Sequence, residues 1–80
     1  MNNIISAAQC RAARALLGWS QEQLAEASQV GVATIRDFER GVRNPQARTI
    51  RDLKSALEAA GVDFIPQNGA GAGVRFRARS

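Results

Sequence analysis

The residues best suited to specific chemistry lie on one face of a predicted helix over residues 32–40. Ile35 and Phe38 are its bulky apolar residues, so they are expected to face a core. At about 100° per residue, the opposite face carries small apolar and charged side chains, which are Ala33, Arg36, Asp37 and Arg40, with Val32 at its edge. Arginine pairs with the guanine edge, small apolar groups contact the thymine methyl group, and a carboxylate accepts from the cytosine amino group. Such a face can read base pairs in a major groove.

A second predicted helix precedes this one after a short break. It spans about residues 21–28 and follows Ser20, a candidate N-cap with Gln23 placed to complete a capping box. The break is only residues 29–31. Two short helices joined this tightly form a helix-turn-helix pattern.

Two further helices are predicted to support this pair. Ser6 is a candidate N-cap for the first, which ends at Leu17, and residues 1–5 are expected to be a frayed lead-in. The fourth runs from residue 46 or 47 to residue 60, after a loop at residues 42–45 that contains a proline. The expected core residues recur at helical spacing and are Cys10, Ala13, Leu17, Ile50, Leu53 and Leu57.

Trp19 and Cys10 each allow a more specific interpretation than packing. Trp19 could stack on DNA, but it precedes an N-cap, where a large apolar residue packs on the fourth helical residue, here Leu24. Cys10 could be a redox switch, but it lies on an apolar stripe and is interpreted as a small buried hydrophobe. Both residues are therefore assigned to the core.

The last part of the chain has a different pattern. Residues 62–65 and 74–77 are short alternating runs around Asn68 and Gly69, which predicts a β-hairpin. A flexible basic tail over residues 69–80 is the alternative. The hairpin is favoured because it withdraws four apolar residues from water, namely Phe64, Ile65, Val74 and Phe76. An isolated hairpin is marginal and its edge invites pairing, so these four residues are predicted to contact a second copy or another partner.

Composition limits the class of protein. The chain has 80 residues, a net charge of +4, no histidine and one cysteine, which suits one small domain with a polyanionic partner. We expect no disulfide, signal peptide or membrane span. No nucleophile–base or metal-ligand pattern is present, so an enzyme is rejected and no cofactor or metal is predicted.

The chain resembles a known family in its central motifs. These are R-A-L-L-G-W-S-Q-E-Q-L-A-E-A at residues 14–27, V-G-V-A-T-I-R-D-F-E-R-G at residues 30–41 and N-P at residues 44–45. They are similar to the Cro/C1-type helix-turn-helix family, also called the XRE family, of bacterial and phage transcription regulators. The resemblance covers roughly residues 10–60. It implies a mainly α fold, with a four-helix DNA-binding domain at residues 1–61 and a hairpin or basic tail at residues 62–80.

The resemblance also implies roles for individual residues. Base reading falls to Val32, Ala33, Arg36 and Asp37. Phosphate contacts fall to Gln21, Thr34, Arg40, Arg43 and Asn44. Gln21 would in addition brace the recognition helix, and Arg14 would form a structural ion pair with Glu39.

The chain departs from the family pattern at the turn. Gln29 stands where glycine is common, and a left-handed conformation there costs about 1–2 kcal/mol. Gly31 replaces a serine or threonine cap. Val32 and Ala33 replace polar residues, so hydrogen-bonded base readout rests mainly on Arg36, with methyl contacts or DNA shape supplying the rest.

The expected function is that of a sequence-specific, double-stranded DNA-binding transcription regulator. It would act as a cytoplasmic, nucleoid-associated homodimer on a palindromic operator. The alternative is an antitoxin, or a regulator controlled by a protein partner at the C-terminal hairpin.

Overall fold

The computed structural model describes residues 4–67 and 69–77. Four helices are followed by two strands, and their bounds are α1 Ala7–Leu17, α2 Gln21–Ser28, α3 Val32–Glu39, α4 Ala47–Ala59, β1 Val62–Ile65 and β2 Gly73–Phe76. The predicted fold class is confirmed. Bounds differ by one residue at the end of α3, at the end of α4 and at both ends of β2. Within the described ranges, no helix is long and apolar enough to cross a membrane.

Matching capping boxes begin α1 and α2. Ser6 Oγ accepts from the Gln9 backbone N–H at 3.0 Å, and Gln9 Oε1 accepts from the Ser6 N–H at 2.9 Å. Ser20 and Gln23 make the equivalent bonds at 3.0 and 2.8 Å. Both N-caps were predicted from the sequence, but only the second capping box was.

The turn between α2 and α3 carries a strained residue. Gln29 is left-handed, with a φ of 61°. Its side-chain Nε2 donates to the Glu26 carbonyl at 2.8 Å, which recovers part of the cost. Gly31 provides no side-chain cap for α3, so the expected loss of an N-cap is confirmed.

The helices enclose one core. Its fully or nearly fully buried apolar residues are Ile5, Cys10, Ala13, Leu24, Val30, Ile35, Phe38, Ile50, Leu53, Leu57 and Val62. Leu17 and Trp19 are half-buried against it, which agrees with a packing role for both. The prediction of a frayed lead-in over residues 1–5 is wrong at Ile5, because this residue is only 2% exposed and belongs to the core.

The hairpin is antiparallel and packs on α1 and α4. Val62 lies opposite Phe76, and Phe64 lies opposite Val74. Val62 is completely buried and Phe64 and Val74 are half-buried, as is Ile65 on the other face, but Phe76 remains 57% exposed. The hairpin therefore withdraws three of the four predicted apolar residues from water. Asn68 and residues 78–80, which belonged to the predicted turn and tail, lie outside the described residues.

Candidate nucleic-acid interface

The predicted base-reading residues share one outward surface of α3. Ala33 and Arg36 are exposed, and Val32 and Asp37 are half-buried. Ile35 and Phe38 face the core with 0% and 4% exposure, so the orientation of α3 is that expected from its periodicity. Within the described residues, no ion pair or hydrogen bond engages the Arg36 side chain. Its guanidinium donors are therefore available to an external acceptor.

The predicted phosphate-binding residues surround this face unequally. Arg40, Arg43 and Asn44 are exposed at the end of α3 and in the following loop, whereas Thr34 is half-buried. Val42 N–H donates to the Asp37 carbonyl at 3.1 Å and Gly41 N–H to the Phe38 carbonyl at 3.0 Å. These two bonds close the last turn of α3 and fix where the loop leaves it.

The side chain of Gln21 also forms a hydrogen bond within the protein. Its Nε2 donates to Glu39 Oε1 at 3.1 Å, which joins the first residue of α2 to the last residue of α3. A primary amide carries a second N–H hydrogen. Gln21 can therefore brace α3 and still donate to a phosphate oxygen.

Glu39 is the centre of a buried polar cluster that holds α3. Its side chain is 2% exposed. Arg14 reaches both carboxylate oxygens, with Nη2 to Oε1 at 2.7 Å and Nε to Oε2 at 2.8 Å. Cys10 Sγ donates to Oε2 at 3.1 Å. We refer to Cys10, Arg14, Gln21 and Glu39 as the Glu39 cluster, which connects α1, α2 and α3.

The cluster perturbs both acidic groups. Burial by itself raises the pKa of Glu39, but hydrogen bonds from Arg14, Gln21 and Cys10 outweigh it and lower the net pKa. Burial, and then the neighbouring Glu39 carboxylate, raise the pKa of the Cys10 thiol. The thiol is therefore held protonated as a donor, which argues against a reactive cysteine.

Two contacts made by residues of α1 were not predicted from the sequence. Arg11 Nη1 donates to the Glu39 carbonyl, so a cation sits at the C-terminal end of α3. Gln9, which is 8% exposed, donates from Nε2 to the carbonyls of Ile65 at 3.2 Å and Gly73 at 3.0 Å. Ser6 and Gln9 are three residues apart, as are Ser20 and Gln23, and this spacing could have indicated the capping role of Gln9. Nothing in the sequence indicated its contact with the hairpin.

The predicted partner-contacting residues lie elsewhere. They belong to the hairpin, which packs on α1 and α4, while α3 packs on α1 and α2. The structure thus separates Phe64, Ile65, Val74 and Phe76 from the outward face of α3. In the described part of the chain, no group of His, Cys, Asp or Glu residues is arranged to hold a metal ion.

A sequence model of the helix-turn-helix family matches residues 11–62, a segment that begins in α1 and ends at the first residue of β1. It therefore includes α2, α3 and three of the four members of the Glu39 cluster. No curated protein matches the chain.

Proposed function

The chain belongs to the Cro/C1-type helix-turn-helix family of DNA-binding transcription regulators, and we propose that it binds a palindromic or near-palindromic operator as a homodimer. The observation that carries base reading is the outward face of α3. Arg36 is exposed there without an internal partner, and Ala33 and Val32 lie beside it. This combination suits a guanine flanked by thymines.

Arg36 supplies most of the hydrogen-bonded discrimination in this proposal. Asp37, which is half-buried, accepts from a cytosine amino group where the groove brings one close. Val32 and Ala33 contact thymine methyl groups. Because two of the four reading residues are apolar, DNA shape contributes to the remaining specificity.

Phosphate contacts set the register of the protein on DNA. We assign them to Gln21, Thr34, Arg40, Arg43 and Asn44. The three exposed members, Arg40, Arg43 and Asn44, approach the backbone beside the groove. Each phosphate neutralised by an arginine steepens the salt dependence of binding by about 0.9 in the log–log slope.

The single reading helix of one copy supports the proposed dimer. The chain extends 33 Å along its longest axis and contains one reading helix of eight residues. Equivalent major-groove positions are about 34 Å apart on one side of DNA. One copy therefore covers one half-site, and a second copy is needed for the next.

A second candidate function is control by a protein partner at the hairpin, as in an antitoxin or a partner-regulated repressor. The 57% exposure of Phe76 favours it, because this aromatic ring lies on the hairpin, away from the reading face. Binding there leaves α3 free. The two functions are compatible in one protein.

The experiment that tests the proposal is selection from a random duplex library at near-physiological salt, followed by sequencing. Two related half-sites about one helical turn apart are expected. Enrichment of a single half-site would support base reading by α3 but refute the proposed dimer. Salt-sensitive binding without sequence enrichment would refute base reading by α3.

A further inference from the structure

We propose that the outer edge of β2 binds an extended acidic segment of a partner protein, which joins the hairpin as a third strand. This inference rests on the second candidate function and names the chemistry of its partner. It does not depend on the operator or on the homodimer. The proposal is carried by three features of the same edge: unused backbone groups, an apolar groove and an excess of positive charge.

The backbone groups follow from the register of the hairpin. Arg77 N–H donates to the Gly61 carbonyl at 2.7 Å. In an antiparallel ladder, hydrogen-bonded pairs alternate along each strand, so Arg75 points its backbone groups toward β1. Val74 and Phe76 then point theirs away from β1. Within the described residues, no helix or loop hydrogen bonds to these outward groups.

The groove lies beside the same edge. It has a volume of about 190 Å³ and is mostly apolar, although the polar residues Ser6 and Gln9 also line it. Its remaining walls are Ala8 and Ala12 of α1, Ala72, and Gly73 and Val74 at the start of β2. No residue of β1 lines it, so it opens on the outer side of β2. Residues of an added strand that lie opposite Val74 or Phe76 would share their face and project into this groove. The groove therefore takes apolar side chains at alternate positions.

The other face of β2 is basic. The side chains of Arg75 and of Arg77, the residue after β2, are 67% and 50% exposed. Among the described residues both pair with the same carboxylate, that of Asp63, at 3.8 and 3.3 Å, and Arg77 also donates to the Glu58 carbonyl at 2.6 Å. The remaining residues of an added strand would lie beside these two arginines. Opposite charges on neighbouring strands are favourable and like charges are unfavourable. Acidic side chains are therefore preferred at the positions between the apolar ones.

The same charges argue against a second copy at this edge. Two β2 strands paired side by side would bring Arg75 and Arg77 of each copy close to those of the other, with one Asp63 per hairpin to offset them. An acidic peptide meets no such repulsion. The edge thus fits the strand-addition mode of peptide recognition, with backbone bonds for affinity and alternate side chains for specificity.

The test is a selection of random short peptides displayed on phage against the full-length chain. Peptides that alternate acidic and apolar residues are expected. A synthetic peptide of the enriched sequence should shift the backbone amide resonances of Val74 and Phe76. Enrichment without acidic residues, no enrichment, or enrichment of sequences resembling residues 73–77 would overturn the proposal, the last in favour of a second copy.

Two variants separate the backbone contribution from the charge contribution. Val74→Pro removes an outward N–H without removing a bond to β1. It should lower the affinity for the synthetic peptide by about tenfold. Arg75→Gln should lower the same affinity by about fivefold. The control Arg51→Gln changes an exposed arginine of α4 and should leave peptide affinity unchanged. Equal losses in all three variants would indicate non-specific attraction and overturn the proposal.

DNA binding is measured on the same variants. Operator affinity should be retained by Val74→Pro and Arg75→Gln, which shows that each is folded. If the wild-type chain selects DNA but no peptide, the edge proposal fails alone. If it selects acidic peptides but no DNA sequence, the operator proposal fails alone.

Discussion

The thiol of Cys10 donates a hydrogen bond to Oε2 of Glu39 across 3.1 Å, joining α1 to the last residue of α3. The same carboxylate accepts from Arg14 and Gln21. The end of α3 is thus held by directional polar bonds, while Ile35 and Phe38 hold its inner face by burial. Because a carboxylate with several donors admits few orientations, the Glu39 cluster fixes the angle at which α3 meets its neighbours.

Removing Arg14 alone should destabilise the protein strongly. In Arg14→Met the nearly buried Glu39 keeps only the Cys10 and Gln21 donors, and the expected loss is about 3 kcal/mol. Adding Glu39→Leu removes the unpaired charge, so the double variant should lose less than the sum of the two single variants. Urea unfolding of all four proteins measures this coupling. Additive losses would show that the pair contributes no interaction of its own.

The Glu39 cluster should also make stability fall in acid. Hydrogen bonds that outweigh burial lower the pKa of Glu39 in the folded protein. A group with a lowered folded pKa stabilises above its unfolded pKa, about 4.3 for glutamate, and this stabilisation disappears as the pH falls through the folded value. The free energy of unfolding of the wild type should therefore drop more steeply below about pH 4.3 than that of Glu39→Gln. Parallel curves for the two proteins would contradict it.

Gln9 and Gln23 provide a matched pair for testing the contact between α1 and the hairpin. Both complete a capping box, but only Gln9 also donates to the Ile65 and Gly73 carbonyls. Replacement by alanine should cost about 1 kcal/mol at either site because the N-cap N–H loses its glutamine acceptor, and a further 1–3 kcal/mol or so at Gln9 alone because two carbonyls lose their donor. Urea unfolding compares the two. Equal losses would mean that water replaces the side chain of Gln9.

Helix positions were predictable because their signals are local. Ser6, Ser20 and Gly18 mark starts and a stop within a few residues of the elements they bound. The apolar stripes of α1 and α4 likewise assigned Ala13, Leu53 and other residues to the core. Ile5 was also within reach of a local rule: it precedes the N-cap of α1, as Trp19 precedes that of α2, and residues at this position pack on the fourth helical residue.

Long-range polar contacts were not predictable without a template. The Arg14–Glu39 interaction was implied only by resemblance to a family. Gln9 meets Ile65 and Gly73 across 56 and 64 residues, and no periodicity relates such positions. The thiol of Cys10 was assigned to packing because a half-polar group on an apolar stripe resembles any small hydrophobe. The sequence therefore predicted the helices and strands, but it did not predict the hydrogen bonds that fix how these elements pack against one another.

Gln29→Gly should stabilise the protein. The left-handed φ of 61° at Gln29 costs a side-chain-bearing residue about 1–2 kcal/mol, and the hydrogen bond to the Glu26 carbonyl returns part of it. The expected gain is roughly 0.5–1 kcal/mol, measured as a higher urea midpoint with an unchanged slope. The control is Gln23→Gly, which replaces glutamine in a right-handed helix and should destabilise. A loss at Gln29 would show that its side-chain bond outweighs the strain.

Arg36 and Arg40 should respond differently when each is replaced by alanine. Arg36 lies on the outward face of α3, so its loss should cost about 1–3 kcal/mol on the selected operator and reduce discrimination at one base pair. Arg40 follows the helix, so its loss should weaken all duplexes alike and lower the salt slope by about 0.9. Both residues are exposed, so stability should change little in either variant. Titration of the operator and of single-base variants at several salt concentrations separates the two effects. A uniform loss for Arg36→Ala would reassign that residue to the phosphate backbone and leave base readout to Asp37, methyl contacts and DNA shape.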